Sequence, residues 1–193
     1  MDRKVDTLRT RSSAVFGAVV ALAVSLIAAA SSSAAEPRPD WISLITGDQV
    51  AVDANGSLLA IRPATGRERI GLTVRRSGEH LYVVPADASA LITSGALDPR
   101  LFDITLLARP EYRRQNEDGL AIIVAYQAHE PTAKTQVRSI DGVRLEHTYT
   151  SLNGDALTLS SQGSPTPWNQ LTSATGIKKI WLDAVLVDVG FSD

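Results

Sequence analysis

Between Leu120 and Leu182 the chain alternates strand-like and helix-like stretches in the order β-α-β-β-α-β. Leu120 to Tyr126 is a nearly continuous apolar strand. Thr132 to Ile140 reads as a helix, opened by Pro131 or Thr132 and closed by Gly142. Val143 to Tyr149 alternates strictly and is expected to be a strand. Asp155 to Ser160 is another, with Leu157 and Leu159 on one face and Thr158 and Ser160 on the other. Ser164-Pro165 or Thr166-Pro167 sets an N-cap before a proline at the first helical position. Trp168 and Leu171 share one face of that helix, Gly176 ends it, and Lys178 to Leu182 is the last strand. This order, in about 65 residues, is the split βαβ arrangement: a four-stranded antiparallel sheet with both helices on one face. Both faces of Leu120–Tyr126 are apolar, yet two helices cover only one face. Either the N-terminal half or a partner must cover the other.

The preceding stretch has a different rhythm. Trp41 to Ile45 ends at the turn Thr46-Gly47-Asp48. Gln49–Asp53 and Ser57–Ile61 flank Ala54-Asn55-Gly56, and Asn-Gly tolerates the positive φ angles of a tight hairpin. Ile70–Val74 and His80–Val84 flank Ser77-Gly78, a second hairpin. Pro85 stops that strand, Ala86 to Ser94 reads as a short helix, and Gly95 ends it. Leu101 to Leu107 is expected to be one more strand. Arg109 to Gly119 is polar, without an apolar period, and reads as a linker.

Ahead of both halves lies a segment with the pattern of a secretory signal. Arg3, Lys4, Arg9 and Arg11 form a basic start, Ala14 to Ala30 an uncharged apolar run, and Ser33-Ala34-Ala35 a cleavage site. The alternative is a short membrane anchor. Cleavage after Ala35 leaves 15 basic and 19 acidic groups, a net charge of −4. The expectation is a secreted, extracellular protein with no membrane partner once the signal is cut. No basic excess suggests nucleic acid. Cysteine is absent, which removes disulfides, thiolate metal sites, a cysteine nucleophile and a lipidated cysteine. The expected class is α+β: a small all-β unit over 36–108, a linker over 109–118, a ferredoxin-like βαββαβ unit over 119–184 and a tail over 185–193.

Motifs for chemistry are missing. The histidines, His80, His129 and His147, do not pair at metal spacing. Asp53-Ala54-Asn55-Gly56-Ser57 echoes a calcium loop, but Leu58 stands at position six and Ala64 at position twelve, so the match fails. Asn55-Gly56-Ser57 fits a glycosylation acceptor, although a hairpin turn explains it better. There is no Gly-x-Ser-x-Gly, Walker loop or Gly-x-Gly-x-x-Gly. No catalytic, metal or cofactor residue is assigned, no cofactor is expected, and an enzyme is the least favoured class.

Several blocks resemble the N-terminal prodomain of large secreted bacterial subtilisin-like serine peptidases. Trp41-Ile42-Ser43-Leu44-Ile45-Thr46-Gly47-Asp48-Gln49-Val50 resembles its opening. Tyr82-Val83-Val84-Pro85-Ala86-Asp87-Ala88 and Leu97-Asp98-Pro99-Arg100-Leu101-Phe102-Asp103-Ile104-Thr105 resemble the next blocks. Ser151-Leu152-Asn153 and Ile180-Trp181-Leu182-Asp183 resemble the final ones. The Asp-Thr/Ser-Gly, His-Gly-Thr and Gly-Thr-Ser-Met-Ala motifs of the catalytic domain are absent, so no protease residue carries over. The resemblance implies a subtilisin-propeptide-like unit that lays the open face of its sheet on the protease and sends its C-terminal segment into the active-site cleft by strand addition. Candidate contacts are Val187, Asp188, Val189, Gly190 and Phe191, although residues 184–193 depart from the family's usual linking sequence. The expected role is inhibitor or folding assistant of a subtilisin-like protease. Alternatives are an extracellular ligand-binding module and an inert remnant of a truncated precursor.

Overall fold

Asp53 organises the first hairpin, accepting hydrogen bonds from the backbone N–H groups of Asn55 and Ser57, each at 2.8 Å. Of the Asn55-Gly56 pair, only Gly56 takes a positive φ, +73°. The turn is therefore an Asx-type turn relieved by one glycine. It joins β2 (Gln49–Val52) to β3 (Leu58–Arg62), and β1 (Asp40–Ser43) completes an antiparallel sheet of order β1-β2-β3. The computed structural model describes residues 39–128, 130–160 and 163–183. The expected signal over 1–35, His129 and the candidate contacts Val187 to Phe191 lie outside them.

The second hairpin pairs β4 (Leu72–Ser77) with β5 (His80–Pro85) around Gly78, which has a φ of +58°. The first strand of this hairpin starts two residues later than the apolar pattern of Ile70–Val74 suggested. Pro85 is the N-cap of helix α1 (Ala86–Thr93), and Gly95 follows with a φ of +75°.

Two expectations are corrected in the next stretch. Leu101 to Leu107 is not a strand: it folds as a 3₁₀ turn over Pro99–Phe102 and a one-turn helix α2 (Ile104–Leu107). Asp98 caps the first through the Arg100 N–H at 3.0 Å, and Asp103 caps the second through the Leu106 N–H at 3.1 Å. Leu101, Ile104 and Leu107, three apart, are all buried, which is helical rather than extended spacing. Nor is 109–118 an irregular linker, because Pro110–Gln115 form helix α3 with proline in its first turn and Tyr112 buried. A helix this short needs one inward anchor, so it leaves no apolar period to read.

From Leu120 onward the elements come in the expected order: β6 (Leu120–Tyr126), α4 (Pro131–Arg138), β7 (Val143–Tyr149), β8 (Gly154–Leu159), α5 (Thr166–Ser173) and β9 (Ile177–Leu182). The four strands form an antiparallel sheet of order β7-β8-β6-β9. The class is α+β, with several antiparallel sheets. One apolar cluster runs from Ile42 through Tyr112 to Leu182, so the core is continuous across the expected linker.

Polar bonds tie the halves together. Arg67 is buried and bonds Asp48 at 3.2 Å and Asp87 at 2.7 and 3.0 Å, while Trp168 Nε1 donates to Asp87 at 2.9 Å. Burial alone would depress the Arg67 charge, but hydrogen bonding to Asp87 and the field of Asp48 more than compensate and raise its pKa. Thr65 N–H bonds the Gly163 carbonyl, and a Cβ on Gly47 would collide with the Ser164 carbonyl. Ala96 to Asp98 also line the outer edge of β9, bonding the backbone of Ile180 at 2.9 Å on both sides.

Candidate functional site

Strand register sorts the side chains of the four-stranded sheet onto two faces, because successive residues of a strand point to opposite sides. Ile122 lies between Leu157 on β8 and Leu182 on β9, and Val124 between Asp155 and Ile180. Those residues, with Leu120 and Leu159, form the covered face. Ala133 and Val137 of α4 and Trp168 and Leu171 of α5 belong to the same buried cluster.

A polar cluster is set into the covered face. Asp155 is fully buried and accepts from Arg138 Nε and Nη2 at 2.9 and 2.7 Å, from Thr148 Oγ1 at 3.0 Å and from the Tyr126 hydroxyl at 3.0 Å. Burial pushes the Asp155 carboxyl up, but the Arg138 guanidinium and the two hydroxyls outweigh it and hold the group below the usual aspartate range. Burial and the neighbouring Asp155 charge push the Tyr126 phenol strongly upward. Arg138 thereby pins α4 to Asp155 and Thr148 of the sheet, and the cluster is a structural clamp.

The opposite face has another composition. One cross-strand row runs Trp181–Ile123–Ala156–His147, and the next runs Lys179–Ala125–Gly154–Tyr149. Ala125, Gly154 and Ala156 are buried, Ile123, Trp181 and Lys179 are half-buried, and His147 and Tyr149 are exposed. Small residues along the two central strands thus form the floor of a shallow trough. Its walls are Trp181 and Lys179 on β9 and His147 and Tyr149 on β7. Each wall is held by contacts of its own. Lys179 Nζ lies 5.3 Å from the Trp181 ring centre, and the His147 and Tyr149 rings meet edge-on at 4.7 Å. Glu146 accepts from Thr158 Oγ1 and Arg144 Nε, both at 2.7 Å, and these bonds lower its pKa in that order.

The bonds from Thr65, Asp87, Ala96 and Asp98 join the halves along the β9 edge and around α5, not across this trough. Of the histidines, His147 sits on a trough wall, whereas His80 lies far along the chain and bonds the buried Asp103 carboxylate through Nδ1 at 2.5 Å. The doubly apolar run Leu120–Tyr126 marked this second face in the sequence, but not its walls, which come from strands separated by a helix and a strand.

Among the described residues no group of three or more His, Cys, Asp or Glu could hold a metal ion, and no helix is long and apolar enough to cross a membrane. No protein-family description, curated protein or solved structure matches the chain.

Proposed function

We propose that the chain is a secreted, non-catalytic, prodomain-like protein that binds a subtilisin-like serine protease as inhibitor or folding assistant. The single observation that carries this reading is the trough of the four-stranded sheet, over which no helix lies among the described residues. Support also comes from strand order. β6 neighbours both β8 and β9, and β7 lies outermost beside β8, as in a ferredoxin-like βαββαβ unit whose helices leave one sheet face for a partner. The trough walls stand three strand spacings apart, about 14 Å. That span accepts a helix, about 10 Å across with its side chains. In this reading the partner lays a surface helix between Trp181 and Tyr149, and Val187 to Phe191 extend into its cleft by strand addition. Binding the native protease and not its unfolded chain would also favour the partner's folding by mass action.

The test is inhibition of purified subtilisin-like proteases by residues 36–193, beside a chain ending at Ala184. Potent inhibition weakened about thirtyfold by Trp181→Ala, the loss typical of an interface hot spot, is the expected result. Weakening on truncation assigns part of the affinity to the tail. A folded protein that inhibits none of several such proteases overturns the reading.

A further inference from the structure

The chain contains two Asn-Gly pairs, Asn55-Gly56 and Asn153-Gly154. Such a pair is chemically labile, because a glycine without a Cβ lets its backbone nitrogen approach the preceding side-chain amide. The glycine nitrogen attacks Cγ of the asparagine, a C–N bond closes a cyclic imide, and the Cγ–Nδ2 bond breaks. The side-chain nitrogen leaves as ammonia, taking the proton of the glycine N–H. Water then opens the ring at Cγ to give aspartate, or at the backbone carbonyl to give isoaspartate, whose main chain is one carbon longer.

The two pairs sit in opposite surroundings. Asn153 is pinned in the turn between β7 and β8. Its Nδ2 donates to the carbonyls of Tyr126 and Gln127, both at 3.2 Å, and its own carbonyl accepts from the Tyr126 N–H at 2.9 Å. Gly154 is buried between Ala125 of β6 and Tyr149 of β7, so close to the Val124 carbonyl that a Cβ would meet it at 2.8 Å. Ring closure here requires the Asn153 amide to leave both acceptors and Gly154 to leave a central strand. Asn55 is exposed at the tip of the β2–β3 turn, and among the described residues its side-chain amide has no hydrogen-bond partner. The attacking nitrogen is restrained by one bond, from the Gly56 N–H to the Asp53 carbonyl at 3.0 Å, and nothing lies within 4 Å of a Cβ placed on Gly56. A bond in such an exposed turn opens without unfolding the protein.

We propose that Asn55 is a site of spontaneous covalent modification, deamidating in the folded protein to aspartate and isoaspartate, while the fold protects Asn153. The product alters the turn. Asp53 Oδ1 accepts from both the Asn55 and Ser57 N–H groups at 2.8 Å, so the longer isoaspartate backbone falls inside the loop that this carboxylate closes. Either product also sets a second negative charge beside Asp53.

The test is to age the full chain at mildly alkaline pH, folded and in guanidinium chloride, and to follow the conversion of amide to acid in each Asn-Gly peptide by mass spectrometry. In denaturant the two pairs should convert at similar rates. In the folded chain Asn55 should convert about thirtyfold faster than Asn153, the ratio that the two hydrogen bonds of the Asn153 amide support. An Asn55 rate in the folded chain no greater than that of Asn153 overturns the proposal, and so does a glycan found on the Asn55 amide.

Discussion

The covered and open faces of the four-stranded sheet are built from the same strands, yet they differ more in side-chain size than in polarity. On the covered face Ile122, Val124 and Leu157 are at most 1% exposed because helices lie over them. On the open face Ala121, Ala125 and Ala156 are at most 8% exposed with no described helix above them. The covered face also contains a charge, Asp155, with every oxygen bonded. The open face keeps its charges, Lys179, Arg144 and Glu146, toward its margins. The first face is closed by helices of this chain; over the second no described helix lies.

Removing bulk from the layer over the covered face should cost most. Trp168→Ala deletes a buried side chain and the Nε1 bond to Asp87, and should destabilise the protein by about 3–5 kcal/mol in urea unfolding. A loss under 1 kcal/mol would mean that α5 does not close this face. Asp155→Ala comes next. It leaves the Tyr126 hydroxyl and the Arg138 guanidinium without their acceptor, at a cost of about 2–3 kcal/mol, less than a fully buried pair because Arg138 is partly exposed.

Acid should act through the same carboxylates. Asp155 and Asp87 have folded-state pKa values below their unfolded value of about 3.9. Their stabilisation is complete above that value and is lost as pH falls through the folded values, so urea midpoints should drop steeply only below about pH 4. Asp183 has the opposite sign, since burial raises its pKa. Its protonated form suits the fold, and the associated stability is lost as pH rises through the folded value. Asp183→Asn should therefore raise the midpoint slightly at neutral pH and leave it unchanged well below pH 4. An equal gain at both pH values would refute that assignment.

The smallest effect on stability is expected on the open face. Ile123→Thr should change unfolding free energy by about 1 kcal/mol or less, because its side chain is already half in water. Under the proposed function, the same substitution also weakens protease inhibition. A large stability loss at Ile123 would show that the two faces are not different in kind.

Much of the fold was legible in the residues. Strict alternation marked Val143–Tyr149, the continuous apolar run marked Leu120–Tyr126, and Gly56, Gly78 and Gly95 marked the ends of elements. Leu101–Leu107 and Arg109–Gly119 misled for one reason: helices of one or two turns are too short to show a period. Their signals lay in the caps, Asp98 before Pro99, Asp103 three residues ahead of Leu106, and Pro110 at a helix start.

Local chemistry alone determined the order of strands and helices from Leu120 to Leu182, since apolar period, turn residues and prolines act within a few neighbours. Only the tertiary structure decided that the two halves share one core, that Arg67 and Asp87 lock the first half to Trp168, and that Trp181, Ile123, Ala156 and His147 form one row. Those facts depend on register and on contacts between residues far apart in the chain. A one-residue slip would have sent each of these side chains to the opposite face.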